Sequence, residues 1–187
     1  MFKELSLHIL DIAENSVNAG ATNIQIMIQE DLKQDKLEIC IHDNGRGMNQ
    51  DMLQQVTNPF ITTRTTRKVG LGIPFLKETA EACNGSFYVE SNEGEGTQVK
   101  ATFQRSHIDR MPLGDIQSTF LNLLVGFPLV HWEFTYRKDS NSFYLDDDYI
   151  KNELQGIPLT EPVVINYLRN LIDSGINQLN ENSMQEK

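Results

Sequence analysis

The run Asp11-Ile12-Ala13-Glu14-Asn15-Ser16-Val17-Asn18-Ala19-Gly20-Ala21-Thr22 reads as the closing part of a helix and its exit. Leu5, Ile9, Ile12 and Val17 approximate a 3.6-residue period, and Gly20 suits a left-handed cap. Asp11 and Asn15 stand four apart and so share one face. An amide oxygen there is a hard ligand suited to Mg²⁺, and a carboxylate one turn earlier can orient or deprotonate an attacking water. Taken alone, the same pair is equally a polar stripe on a solvated helix.

Two alternating stretches follow. Ile24, Ile26 and Ile28 alternate with polar neighbours, as do Leu37, Ile39 and Ile41, which predicts two half-buried strands joined by a polar turn. The second strand runs into Asp43-Asn44-Gly45-Arg46-Gly47-Met48. A carboxylate at a strand end can accept a hydrogen bond from an adenine amino group, while Gly45 and Gly47 let backbone approach the ring. Asn-Gly after a strand is also an ordinary turn. A short helix is predicted over 49–56 with Asn49 as its cap, a loop over 57–69, and a helix over 71–82.

That last helix opens on Gly70-Leu71-Gly72-Ile73, and backbone N–H groups at a helix N-terminus form an anion site suited to phosphates. Arg64, Arg67 and Lys68, just upstream, can cover the same phosphates as a lid. Strands are predicted over 86–91 and 97–104, separated by a turn whose Gly94-Glu95-Gly96-Thr97 places a hydroxyl that can bond a base directly or through water. Each of the four segments is weak evidence by itself.

In this order and spacing they resemble the superfamily of DNA gyrase, heat-shock chaperone, histidine kinase and MutL ATPases, over roughly the first 105 residues. Asn58-Pro59-Phe60-Ile61-Thr62-Thr63-Arg64 looks like the start of the lid in histidine kinases, whereas the box around Asn15 looks more like MutL. The gyrase and MutL kinds carry a glutamate where this chain has Asp11. The resemblance implies a two-layer α/β sandwich of the Bergerat type, a mixed sheet with helices on one face. It also implies ATP and Mg²⁺ as cofactors. Asn15 would ligand the metal, and Asp43, Gly45, Gly47, Met48 and Thr97 would hold the base. Arg64, Lys68, Gly70, Leu71 and Gly72 would hold the phosphates, with Asp11 the candidate catalytic base.

Residues 107–187 are expected to form a small α+β unit that holds a partner or transmits the state of the lid. Helices are predicted over 115–125, 148–154 and 161–179, with a hairpin of 130–136 against 142–145 and a frayed end over 180–187. Asp146-Asp147-Asp148 is read as favouring a helix N-terminus, and Trp132 is expected at a partner face.

Composition narrows the function classes. A net charge of −10, from 16 Lys and Arg against 26 Asp and Glu, disfavours nucleic-acid binding. No apolar run approaches the roughly 20 residues that cross a bilayer, and the N-terminus lacks a signal-peptide pattern, so a cytoplasmic protein with no membrane partner is expected. Cys40 and Cys83 lack metal-ligand spacing and read as small core residues. Only ten residues precede Asp11, too few for the helical hairpin that carries a sensor kinase's phosphoacceptor, and His8 reads as a packing histidine. The expectation is therefore a kinase or nucleotide switch acting on a protein partner in trans, with a homodimer left open. The alternatives are an ATP-gated binding module and a slow ATPase using Asp11.

Overall fold

The computed structural model describes residues 3–56 and 72–185. Helix α1 (Leu5–Asn18) leads into strands β1 (Asn23–Asp31) and β2 (Lys36–Asp43), then the short α2 (Gln50–Gln55). Helix α3 (Gly72–Ala82) precedes β3 (Ser86–Asn92) and β4 (Gly96–Gln104). The second half contributes α4 (Ile116–Gly126), β5 (His131–Lys138), β6 (Asn141–Asp146), α5 (Asp147–Glu153) and α6 (Pro162–Gln185).

The strands form one six-stranded mixed sheet in the order β3-β4-β2-β1-β5-β6. Alternation decides which side faces inward: Ile24, Ile26 and Ile28 of β1 and Leu37, Ile39 and Ile41 of β2 are all buried, under α1. Helix α3 packs on β3 and β4, and α6 on β5 and β6, while α4 lies between α1 and α6. The helix order α3-α1-α4-α6 thus follows the strand order across the sheet, which is the two-layer α/β arrangement expected from the sequence.

Among the described residues, those beyond 106 add their strands to this same sheet. Strand β5 pairs in parallel with β1, in a register that sets Trp132 beside Ile24, Phe134 beside Ile26 and Tyr136 beside Ile28. Without it, β1 would present an edge of unpaired backbone groups over a hydrophobic core. Trp132 is 1% exposed and its indole N–H donates to the Phe127 carbonyl, so it is a core residue and not part of a partner face. The link between the halves also closes the start of α1, where Glu4 gives no side-chain cap. The Leu5 and Ser6 amides donate instead to the carbonyls of Pro112 and Leu113.

Local signals place most element ends. Asn49 caps α2 by accepting from the Met52 amide, and Asp146 caps α5 by accepting from Asp148. Helix α6 runs to Gln185, past the end predicted near residue 179, because no glycine or proline interrupts the polar tail. Among the described residues no helix is long and apolar enough to cross a membrane.

Candidate functional site

Between α1, α2, the start of α3 and the Asp43 end of β2 lies a cavity of about 280 Å³. Asn15, Asp43, Gly47, Met48, Gly72 and Thr97, six of the residues singled out in the sequence, line it. Gly45 is bonded through its amide to Asp43, and Asp11 stands beside Asn15 on α1. Arg64, Lys68, Gly70 and Leu71 lie outside the described residues.

Asp43 is 5% exposed, and its two oxygens are held by different parts of the chain. The Gly45 amide donates to Oδ1 at 2.8 Å, and the Ser16 hydroxyl donates to Oδ2 at 2.6 Å. A carboxylate oxygen has more than one acceptor direction, so both atoms keep capacity for a further donor from the cavity. The loop after Asp43 is tied down on its outer side. Asn44 accepts from the Thr22 and Asn23 amides, and Arg46 donates its amide to the Ala19 carbonyl. The carboxylate is therefore a fixed acceptor, aimed before any ligand arrives.

Backbone crowding explains two glycines where the Asp43 loop meets the β3–β4 turn. Gly96 has φ +110, and a Cβ there would meet the Asp43 carbonyl oxygen at 1.9 Å. Gly47 has φ +64, and a Cβ there would meet the Asn92 carbonyl oxygen at 1.9 Å. A side chain at either position would push the Asp43 loop away from the β3–β4 turn.

Ser91 joins the same two loops and was not legible as a site residue. Its hydroxyl accepts from the Met48 amide and donates to the Gly96 carbonyl, both at 2.8 Å. The Thr97 hydroxyl, 2.8 Å from Ser91, must then spend its own proton on Ser91. That leaves the Thr97 oxygen as an acceptor on the cavity wall. Ser16 was likewise missed: it follows Asn15 directly, but nothing local shows that it meets Asp43, 27 residues away.

At the other end of the cavity, Asn15 donates its amide N–H to Asp11 Oδ2 at 3.3 Å. The first residue of α3 abuts the same carboxylate, since a Cβ on Gly72 would lie 1.8 Å from Asp11 Oδ2. The structure thus brings together Asp11, Asn15 and Gly72, residues of two segments far apart in sequence.

The acidic run of the second half has a structural explanation. Buried Asp147 accepts from the Trp132 amide at 3.0 Å and pairs with Lys151 at 2.7 Å. His131 lies between Asp146 and Asp148, at 3.0 and 3.4 Å. Burial pushes the Asp147 carboxyl up, against the opposing effect of Lys151 and the Trp132 amide.

Residues 3–107 match the profile of the family described as histidine kinase-, DNA gyrase B-, and HSP90-like ATPase. Sporulation kinase E of Bacillus subtilis (strain 168) is 37% identical over 100 residues, covering 54% of this chain and 13% of that protein. Sporulation kinase D of the same organism is 31% identical over 94 residues, covering 50% of this chain and 18% of its own length. The chain thus spans less than a fifth of the length of these curated relatives. Among solved structures, the Aquifex aeolicus MutL ATPase domain complexed with ADP aligns with a TM-score of 0.51 at 12% identity. It covers 83% of this chain and 70% of that one, so the likeness in fold reaches beyond residue 107.

Proposed function

The chain belongs to the histidine kinase-, DNA gyrase B- and HSP90-like ATPase family, and from that premise we propose that it is a regulatory protein that binds Mg-ATP and acts in trans, as a kinase or nucleotide switch, on a partner protein. One observation carries the nucleotide reading. Asp43 is a buried, doubly anchored carboxylate on the wall of a cavity, opposite a helix start, with an unspent Thr97 acceptor beside it. An adenine amino group donates to that carboxylate, and the Thr97 oxygen takes a second donor or a bridging water. The glycine-lined wall admits the flat base, and the triphosphate runs toward Gly72 and the amides of α3.

The donor set near Asn15 fits Mg²⁺. The Asn15 amide nitrogen is engaged by Asp11, which leaves the amide oxygen as a hard ligand toward the cavity. The phosphates supply the other oxygen ligands, and the ion bound there would neutralise their charge. Arg64, Lys68, Gly70 and Leu71 are assigned to the phosphates by their sequence pattern. Action in trans is supported by the burial of His8, which at 1% exposed is shut away from any phosphoryl donor. The kinase reading is supported by the relatives of that name.

Calorimetric titration with ATP, ADP and GTP tests the binding step. ATP should bind and GTP should not, because a guanine carbonyl would face the Asp43 carboxylate. Asp43→Asn should weaken ATP about 10- to 100-fold, the range for a hydrogen bond to a charged group. Binding of ATP and GTP with equal affinity would overturn the assignment of Asp43. Incubation with γ-labelled ATP and candidate partners then separates the outcomes. Label on a protein identifies a kinase; label released as phosphate identifies an ATPase, and loss of that release in Asp11→Asn, with ATP binding kept, assigns Asp11 to it. Neither result, with partner affinity that depends on ATP, identifies a gated binding module.

A further inference from the structure

His8 is a buried histidine next to the nucleotide cavity that the proposed chemistry leaves without a role. It lies on α1 three residues before Asp11 and seven before Asn15, so all three side chains fall on adjoining turns of one helical stripe. The ring is 1% exposed. It lies against the backbone carbonyl of Gly72, the first described residue of α3, and near the Asp11 carboxylate. Gly72 in turn lies so close to Asp11 that a Cβ on it would meet the carboxylate oxygen Oδ2 at 1.8 Å. The imidazole, the Gly72 backbone and the Asp11 carboxylate therefore form one contact between α1 and the start of α3.

Behind the ring is open space. A second cavity of about 160 Å³ is bounded by His8, Phe75, Thr79, Cys83 and Met111, between α1, α3 and the link to the second half. The imidazole thus lines this second cavity, while Gly72 beside it lines the first. Burial holds its protonated form in check against the opposing pull of the Gly72 carbonyl and Asp11. A neutral imidazole keeps one N–H to offer a carbonyl.

We propose that His8 is a positioning residue for the phosphate end of the nucleotide site, setting the distance of the Gly72 backbone from Asp11 and Asn15. The inference rests on the ATP reading of the neighbouring cavity and adds to it a residue that never touches the ligand. Its consequence is selective. The base is held by Asp43 and Thr97 on β2 and β4, in a cavity that His8 does not line, whereas the phosphates meet the helix start that it braces. Loss of the ring should weaken triphosphate binding and leave nucleoside binding unchanged.

The test compares His8→Leu, His8→Gln and wild type in calorimetric titrations with ATP and with adenosine, alongside thermal melts. His8→Leu should weaken ATP about tenfold, with adenosine affinity unaltered. His8→Gln, whose amide N–H can still reach a carbonyl, should recover most of the ATP affinity. A generic packing role would instead lower the melting temperature and weaken both ligands alike, or leave Gln no better than Leu; either result overturns the proposal. If His8→Leu does not fold, His8→Asn, too short to span the gap, takes its place in the same comparison. Failure of wild type to bind ATP at all would strike the nucleotide reading itself, and is thereby distinguishable from a failed role for His8.

Discussion

Beneath one helix layer, the two flanks of the β1–β2 pair are built in opposite ways. On the β2 side, near Asp43, the contacts between elements are polar and backbone-mediated: Ser16 with Asp43, Ser91 with Met48 and Gly96, Gly72 against Asp11. These contacts hold their groups apart around a cavity of about 280 Å³. On the β5 side the space is filled. Trp132, Phe134 and Phe120 are each at most 2% exposed, and Leu168 and Ile172 of α6 close over them. The far end of that seam is locked by Glu30, which accepts from the Tyr136 hydroxyl and from Arg105 at the end of β4. The same sheet is thus a floor for a cavity on one side and for aromatic side chains on the other. Stability and binding should be separable by mutation along that divide.

The largest effect should come from emptying the filled side. Trp132→Ala removes a side chain buried beside β1 and should cost about 3–5 kcal/mol in urea denaturation. The folded fraction should keep its ATP affinity. A loss of affinity in the folded protein would show that the flanks are coupled and not independent.

A smaller effect is expected at the lock. Tyr136→Phe leaves Glu30 without its hydroxyl donor and should cost about 1–3 kcal/mol near neutral pH. Burial raises the Glu30 carboxyl, but the Tyr136 hydroxyl, Arg105 and Lys138 outweigh it and hold the group below its ordinary value. A carboxylate depressed in the folded state stabilises fully above its unfolded value, about 4.5, and loses that contribution as pH falls through the folded one. The stability gap between wild type and Tyr136→Phe should therefore narrow on acidification below that pH. A gap independent of pH would mean that the ring, not the hydroxyl, is what the seam needs.

The smallest effect should fall on the open side. Ser16→Ala removes one of the two anchors of Asp43 while the Gly45 amide remains. ATP affinity should drop about 2- to 10-fold, with thermal stability nearly unchanged. An equal loss of stability would place Ser16 with the core and erase the distinction between the flanks.

Much of this was legible before the fold was known, because it is written within a few residues. The alternating isoleucines of β1 and β2 specify strands with one buried face, and Asn49 and Asp146 sit where caps must be. The four segments around Asn15, Asp43, Gly72 and Thr97 announced a common site by their order and spacing, and they do line one cavity. What stayed hidden were residues whose meaning depends on a neighbour far along the chain. Ser16 looks like any helical serine until Asp43 stands 2.6 Å away, and Ser91 like any strand serine until it meets Met48.

The sequence by itself determined the local elements, the glycines where backbones must approach, and most of the side chains on which the nucleotide proposal rests. Only the tertiary structure decided that β5 lies parallel to β1, so that residues after 106 complete the first sheet, and that His8 faces Gly72. The physical reason is the range of the forces involved. Periodicity and capping act over one or two turns of chain, whereas strand partners and helix contacts are chosen by burying shared apolar surface between segments that the sequence keeps about a hundred residues apart.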